Sequence, residues 1–254
     1  MKCASSLAIC IAVFCMNMMA CGTSAAGEPP PRTPKAAPPA PAPPLALQSE
    51  LEVEQKFGSI DERAVDRMFL TLQNKIEECY AQGRERVSYL AGDAKVFLRI
   101  DRSGNVRYAY FEESTLGDRE SEQCILDVFA RAEWPKPQGG EAKVHHGFGW
   151  GPGDERAPAS WKSEKVISAL DGAASIRKRV DACKAGVKGS FNVTAYVIPN
   201  ANGNVAASGG EFQTLGIGAS TKEAAQKADC IVDALKDLKL PSPGSYAAKV
   251  SFVL

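Results

Sequence analysis

The stretch "CILDVFARAEWPKPQGGEAKV", from Cys124 to Val144, recurs as "CIVDALKDLKLPSPGSYAAKV", from Cys230 to Val250, without a gap. Cys, Ile, Asp, both prolines and the closing Ala-Lys-Val coincide. Self-similarity at a fixed offset means that one supersecondary unit is written twice. Any fold proposed for the first copy must therefore also suit the second.

The first copy opens on a helix. Ser59 and Glu62 read as a capping box, and Val65, Met68, Phe69, Leu72, Ile76 and Cys79 follow at helical spacing. In "AKVFLRID" the residues Val96, Leu98 and Ile100 alternate with Lys95, Phe97 and Arg99, as in a half-buried strand. "DRSGN" supplies a tight turn. The return strand "VRYAYFEE" blurs its alternation in the manner of a bulge. A second helix carries Cys124, Ile125, Val128, Phe129 and Ala132 until Pro135 and Pro137 stop it. "EAKVHHGFGW" is a third strand, with Ala142, Val144, His146 and Phe148 on one face. The second copy repeats the order: Ile167 to Cys183, then Phe191, Val193, Ala195 and Val197, the turn "NANGN", a helix boxed by Ser220 and Glu223, and a last strand "AAKVSFVL".

The expectation is an α+β chain of two tandem two-layer domains, each helix, β-hairpin, helix, strand with a three-stranded antiparallel sheet. They span residues 48–151 and 161–254. The connecting 152–160 reads as a linker that couples them little.

The chain begins with a targeting pattern. Lys2 precedes an uncharged, mostly apolar run over residues 3–20, followed by Ala20 and Cys21. "MMAC" resembles a bacterial lipobox, with Met18 where Leu is usual, which makes residues 1–20 a signal peptide and Cys21 a lipidation site. Ordinary cleavage after Ala26 is the alternative. Residues 21–47 hold nine of the sixteen prolines. Such a segment buries no core and favours an extended spacer of up to about 80 Å. Of the eight cysteines, Cys79, Cys124, Cys183 and Cys230 fall inside the repeat. None lies in a CxxC pair, so zinc spacing is absent. Four cysteines allow three pairings; the repeat makes one bond per copy the simplest, 79 to 124 and 183 to 230, stable in an exported protein, with four buried free thiols as the rival reading. The formal net charge is zero, so no nucleic-acid footprint appears.

The stretch "CYAQGRERVSYLAGDAKVFLRIDRSGNVRYAYFEESTLGD" resembles the AgmX/PglI C-terminal domain family, itself similar to the TonB C-terminal fold. So do "EQC" and "WPKPQGGEAKV". The residues that carry the resemblance are Cys79-Tyr80, Gly104-Asn105-Val106, Ser114 to Gly117, Cys124, Trp134-Pro135, Pro137 and Gly139-Gly140. The second copy keeps both cysteines, "GNV" and "PSP" but lacks the tyrosine, "STLG" and the tryptophan. The resemblance implies a bacterial envelope protein with an interaction domain and implies no reaction.

No catalytic residue, metal site or cofactor is expected. His145 and His146 point to opposite faces of a strand and do not share a ligand. Glu112 and Glu113 read as a solvated strand end. The candidate binding face is the outer face of the first sheet, with Lys95, Phe97, Arg99, Lys143 and His145. The matching face of the second copy, with Asn192, Thr194, Tyr196 and Lys249, is nearly neutral. Edge strands offer a second route, above all "AAKVSFVL". The function expected is a non-enzymatic, lipid-anchored module in a periplasmic assembly of the gliding-motility kind, facing the periplasm from the outer membrane. Its partners are envelope proteins, and it contacts no nucleic acid. Peptidoglycan binding or cell-wall modification is the alternative, and a TonB-like energy transducer a weaker one.

Overall fold

A computed structural model describes residues 57–200 and 209–254. The signal peptide, Cys21, the proline-rich spacer and all but the first residue of "NANGN" lie outside the described residues. The fold is α+β. Among the described residues no helix is long and apolar enough to cross a membrane.

Helix α1 spans Glu62–Arg86 and buries Val65, Phe69, Leu72, Ile76 and Cys79 along one stripe. Its cap is Asp61, whose carboxylate accepts from the Arg63 and Ala64 N–H groups. Ser59 is not the cap because the chain is still extended there: its N–H and C=O both bond Gln138, at 2.9 and 2.8 Å. Strands β1 (Gly92–Ile100) and β2 (Val106–Ser114) form the hairpin. The Asp101 carboxylate accepts from the Ser103 and Asn105 N–H groups at 2.8 and 3.0 Å, and Gly104 takes the positive φ of the turn. The blurred alternation of β2 is a bulge: Lys95 faces Glu113 while Val96 faces Phe111, leaving Glu112 as the extra residue. Helix α2 (Arg119–Ala130) and strand β3 (Ala142–Trp150) complete this half, with strand order β2-β1-β3, all antiparallel. The Cys79–Cys124 bond joins α1 to α2, Cα to Cα 5.6 Å.

The second half follows the same plan with three departures. A short strand β4 (Ala159–Trp161), inside the expected linker, lies parallel to the last strand β7 (Ala248–Val253). The sheet is therefore four-stranded, in the order β4-β7-β5-β6, with β5 at Phe191–Pro199 and β6 at Gly210–Ala219. The first helix is broken at Ala173 into α3 (Glu164–Gly172) and α4 (Ala174–Lys184), where Gly172 weakens helical continuity. The second divides into α5 (Lys222–Ala225) and α6 (Ala228–Leu235), capped by Thr221 rather than Ser220. The Cys183–Cys230 bond joins α4 to α6, Cα to Cα 5.8 Å.

The two halves are not loosely strung; the described residues form one compact unit. The face of sheet two that carries Thr194 and Tyr196 is buried against the first half. The Tyr196 hydroxyl accepts from Ala91 N–H at 3.0 Å and donates to Ala91 C=O at 2.8 Å. Lys249 Nζ donates to the same carbonyl at 2.6 Å. Thr194 Oγ1 donates to Ser114 C=O at 3.3 Å. Tyr196 packs in the first half's core beside Tyr89 and Leu90. Gly117, at φ +81°, permits this approach, since a Cβ there would stand 2.9 Å from the Tyr196 ring. The expected weak coupling is thus overturned, and the "STLG" residues sit in the seam.

Candidate functional site

The outer face of sheet one differs from its sequence reading in detail. Lys95, Lys143 and His145 are exposed there. Phe97 is not: it is only 7% exposed, stacked with Tyr108 and Tyr110 at 5.9 and 5.1 Å and met edge-on by His145. Arg99 is 5% exposed, its Nε donating to Glu141 Oε2 at 2.6 Å. Most of the charges are also paired. Glu112, placed on this face by the bulge, takes Lys95 at 3.5 Å and His145 Nδ1 at 2.9 Å. Glu141 takes Arg99 and Arg107, and these hydrogen bonds hold its carboxyl below the usual range. Phe57 lies under two cations, the Arg99 guanidinium at 4.5 Å and Lys143 Nζ at 3.9 Å. The five residues share one face, but it is an aromatic and ionic lattice, still net basic, rather than a bare basic patch.

A second surface lies on the opposite side of β3. Between α1 and β3 runs a groove of about 430 Å³ floored by Phe69, Ile76, His146, Phe148 and Trp150. The rings form a chain: Phe69 stacks on His146 at 3.8 Å, His146 meets Phe148 at 4.8 Å, and Phe148 stacks on Trp150 at 5.7 Å. Burial pushes the His146 imidazole down, and Asp66 pulls the other way. Leu70 stands on the rim 69% exposed, with Asp66 and Glu77 beside it. The groove borders an open edge. Among the described residues β3 pairs with β1 alone, and the described part of the lead-in meets the chain at Glu141, just before β3, through Phe57. The edge strand favoured from sequence, β7, is covered by β4 over Ala248–Val250. One sequence signal marks this groove. "MFL" at 68–70 puts three consecutive apolar residues on an amphipathic helix, more than one stripe can bury.

Among the described residues no group of three His, Cys, Asp or Glu side chains is placed to hold a metal. No family model, curated protein or solved structure matches the chain.

Proposed function

We propose that this chain is a non-enzymatic, lipid-anchored envelope protein, resembling the AgmX/PglI and TonB C-terminal type, that captures an extended segment of another envelope protein. Its contact surface is the open edge of β3 together with the α1–β3 groove. The observation that carries this reading is internal. In the second half, the strand equivalent to β3 already receives a short parallel strand, β4, whose Trp161 is buried beside the first helix. Among the described residues the same edge in the first half has no strand partner from Lys143 to Trp150, and it is flanked by aromatic rings. Main-chain pairing gives such an addition its affinity and the groove its side-chain preference. Cys21 would hold the module at the periplasmic face of the outer membrane, with the proline-rich spacer giving reach.

The test is a photocrosslinking residue at Leu70 in cells, with Val253 as the comparison site. The reading requires a protein adduct at position 70 that Phe148→Glu removes. Crosslinks to cell-wall material, or co-sedimentation with purified peptidoglycan that Phe148→Glu leaves intact, would turn the reading to wall binding. Cys21→Ser should move the protein from the membrane fraction to the soluble one.

A further inference from the structure

The groove and the β3 edge serve the reading above; the seam between the halves does not. Glu122 of α2 sits in that seam, fully buried. Its carboxyl group reaches across to the other half, where the Ile217 N–H of β6 donates to both oxygens at 2.9 and 3.1 Å. From its own half, Ser114 Oγ donates at 2.6 Å. Gly216 leaves room for this: a Cβ there would stand 2.4 Å from Glu122 Oε1.

The charges around it are few. Arg119, on the same helix, lies 3.5 Å away and is shared with Asp229 of α6 at 2.7 Å. Asp118 is paired with Arg86 of α1. Strands β5 and β6 bring Thr194, Tyr196, Gly216 and Gly218 to this part of the seam, none of them charged. Glu113 of β2 and Lys222 and Glu223 of α5 are exposed. Lys249, at the far end of the seam, is pushed down to about 8 by burial. A carboxylate out of water with one shared cation is poorly compensated. Burial accordingly pushes Glu122 up to about 7, against the opposing pull of Arg119. The neutral acid suits the site better. One oxygen still accepts from Ile217, while the protonated one donates to Ser114 Oγ, so that this bond reverses direction; what is given up is the ion pair with Arg119.

We propose that the seam is a proton-controlled joint, closed most firmly when the Glu122 carboxyl is neutral and easier to open once it is ionised. The sign follows from linkage. The closed seam binds the proton more tightly than the open one, so opening becomes easier as pH rises from the ordinary carboxylate range to about 7, then levels off for this group.

The experiment is amide hydrogen exchange at Ile217 in the full chain, corrected for the intrinsic pH dependence of exchange. Where one proton is linked to opening, protection changes about tenfold per pH unit. The expected result is a loss of roughly 40-fold between pH 5 and pH 7, because the slope fades close to the open and closed pKa values, absent in Glu122→Gln. A flat or reversed profile in the native chain overturns the joint, as does an unchanged slope in Glu122→Gln. Should that variant not fold, Arg119→Gln serves. Removing the cation must carry the loss of protection to higher pH, and an unmoved profile overturns the proposal.

Discussion

Two basic residues of one sheet face behave oppositely once their surroundings are known. Lys95 is half exposed and its partner Glu112 lies 3.5 Å away. Lys95→Glu should change stability by less than about 1 kcal/mol. Arg99 is buried against Glu141 and the Phe57 ring. Arg99→Glu places a second carboxylate beside Glu141 and should cost about 2–4 kcal/mol. Urea denaturation of the two variants checks the contrast. Alternation in "AKVFLRID" put both residues on the outward face, and they are there. It could not reveal that Tyr108, Tyr110 and Phe57 cover part of that face, because cover comes from other strands. Gly216 is a comparable case, reading as an ordinary strand glycine. Gly216→Ala must displace the Glu122 carboxyl and the Asp118 backbone, 2.8 Å from the added atom, and should cost about 1–3 kcal/mol by the same assay.

At the scale of elements, the order of helices and strands was legible because each long element shows one clear period. The pairing of cysteines was legible because the repeat aligns them. Three features were not. β4 is three residues long, too short for alternation to register. The caps fell one or two residues later than the serines suggested, because Ser59 and Ser220 hold neighbouring chain instead. Ser59 bonds Gln138, and the Ser220 hydroxyl accepts from Ser190 N–H at 2.8 Å. The break between α5 and α6 falls at Gln226 and Lys227, good helix formers, so nothing local marks it. The disulfides carry a prediction here. Each closes a loop of about 46 residues, worth roughly 4 kcal/mol on the chain-entropy model. Cys79→Ser should cost about 2–5 kcal/mol. Because Tyr196 packs in the first half's core, calorimetry should show one lowered transition for the pair of halves, not an intact second half beside a melted first.

For the whole molecule, the two displaced ionisations of the seam act on different flanks of the pH axis. Glu122, raised to about 7, stabilises fully below the ordinary carboxylate range, and that contribution is lost as pH climbs to 7. Lys249, lowered from 10.5 to about 8, contributes fully above 10.5, and that contribution is lost as pH falls to 8. Their sum has its minimum between pH 7 and 8. Urea midpoints should dip there, with Glu122→Gln flattening the acid flank and Lys249→Met the alkaline one. The seam itself was hidden from sequence. Asn192, Thr194, Tyr196 and Lys249 read as a neutral solvated face, and a neutral solvated face and a polar internal joint use the same residues.

That joint also settles a matter of arithmetic. A tandem repeat invites the expectation of bivalency, with two sites raising avidity through their mutual effective concentration. Here the second copy turns its outer sheet face inward, and the first three residues of its β7 edge lie under β4. On the function proposed above, duplication added a buttress rather than a second hand. A titration with any peptide that pairs with β3 should therefore end at one equivalent per chain.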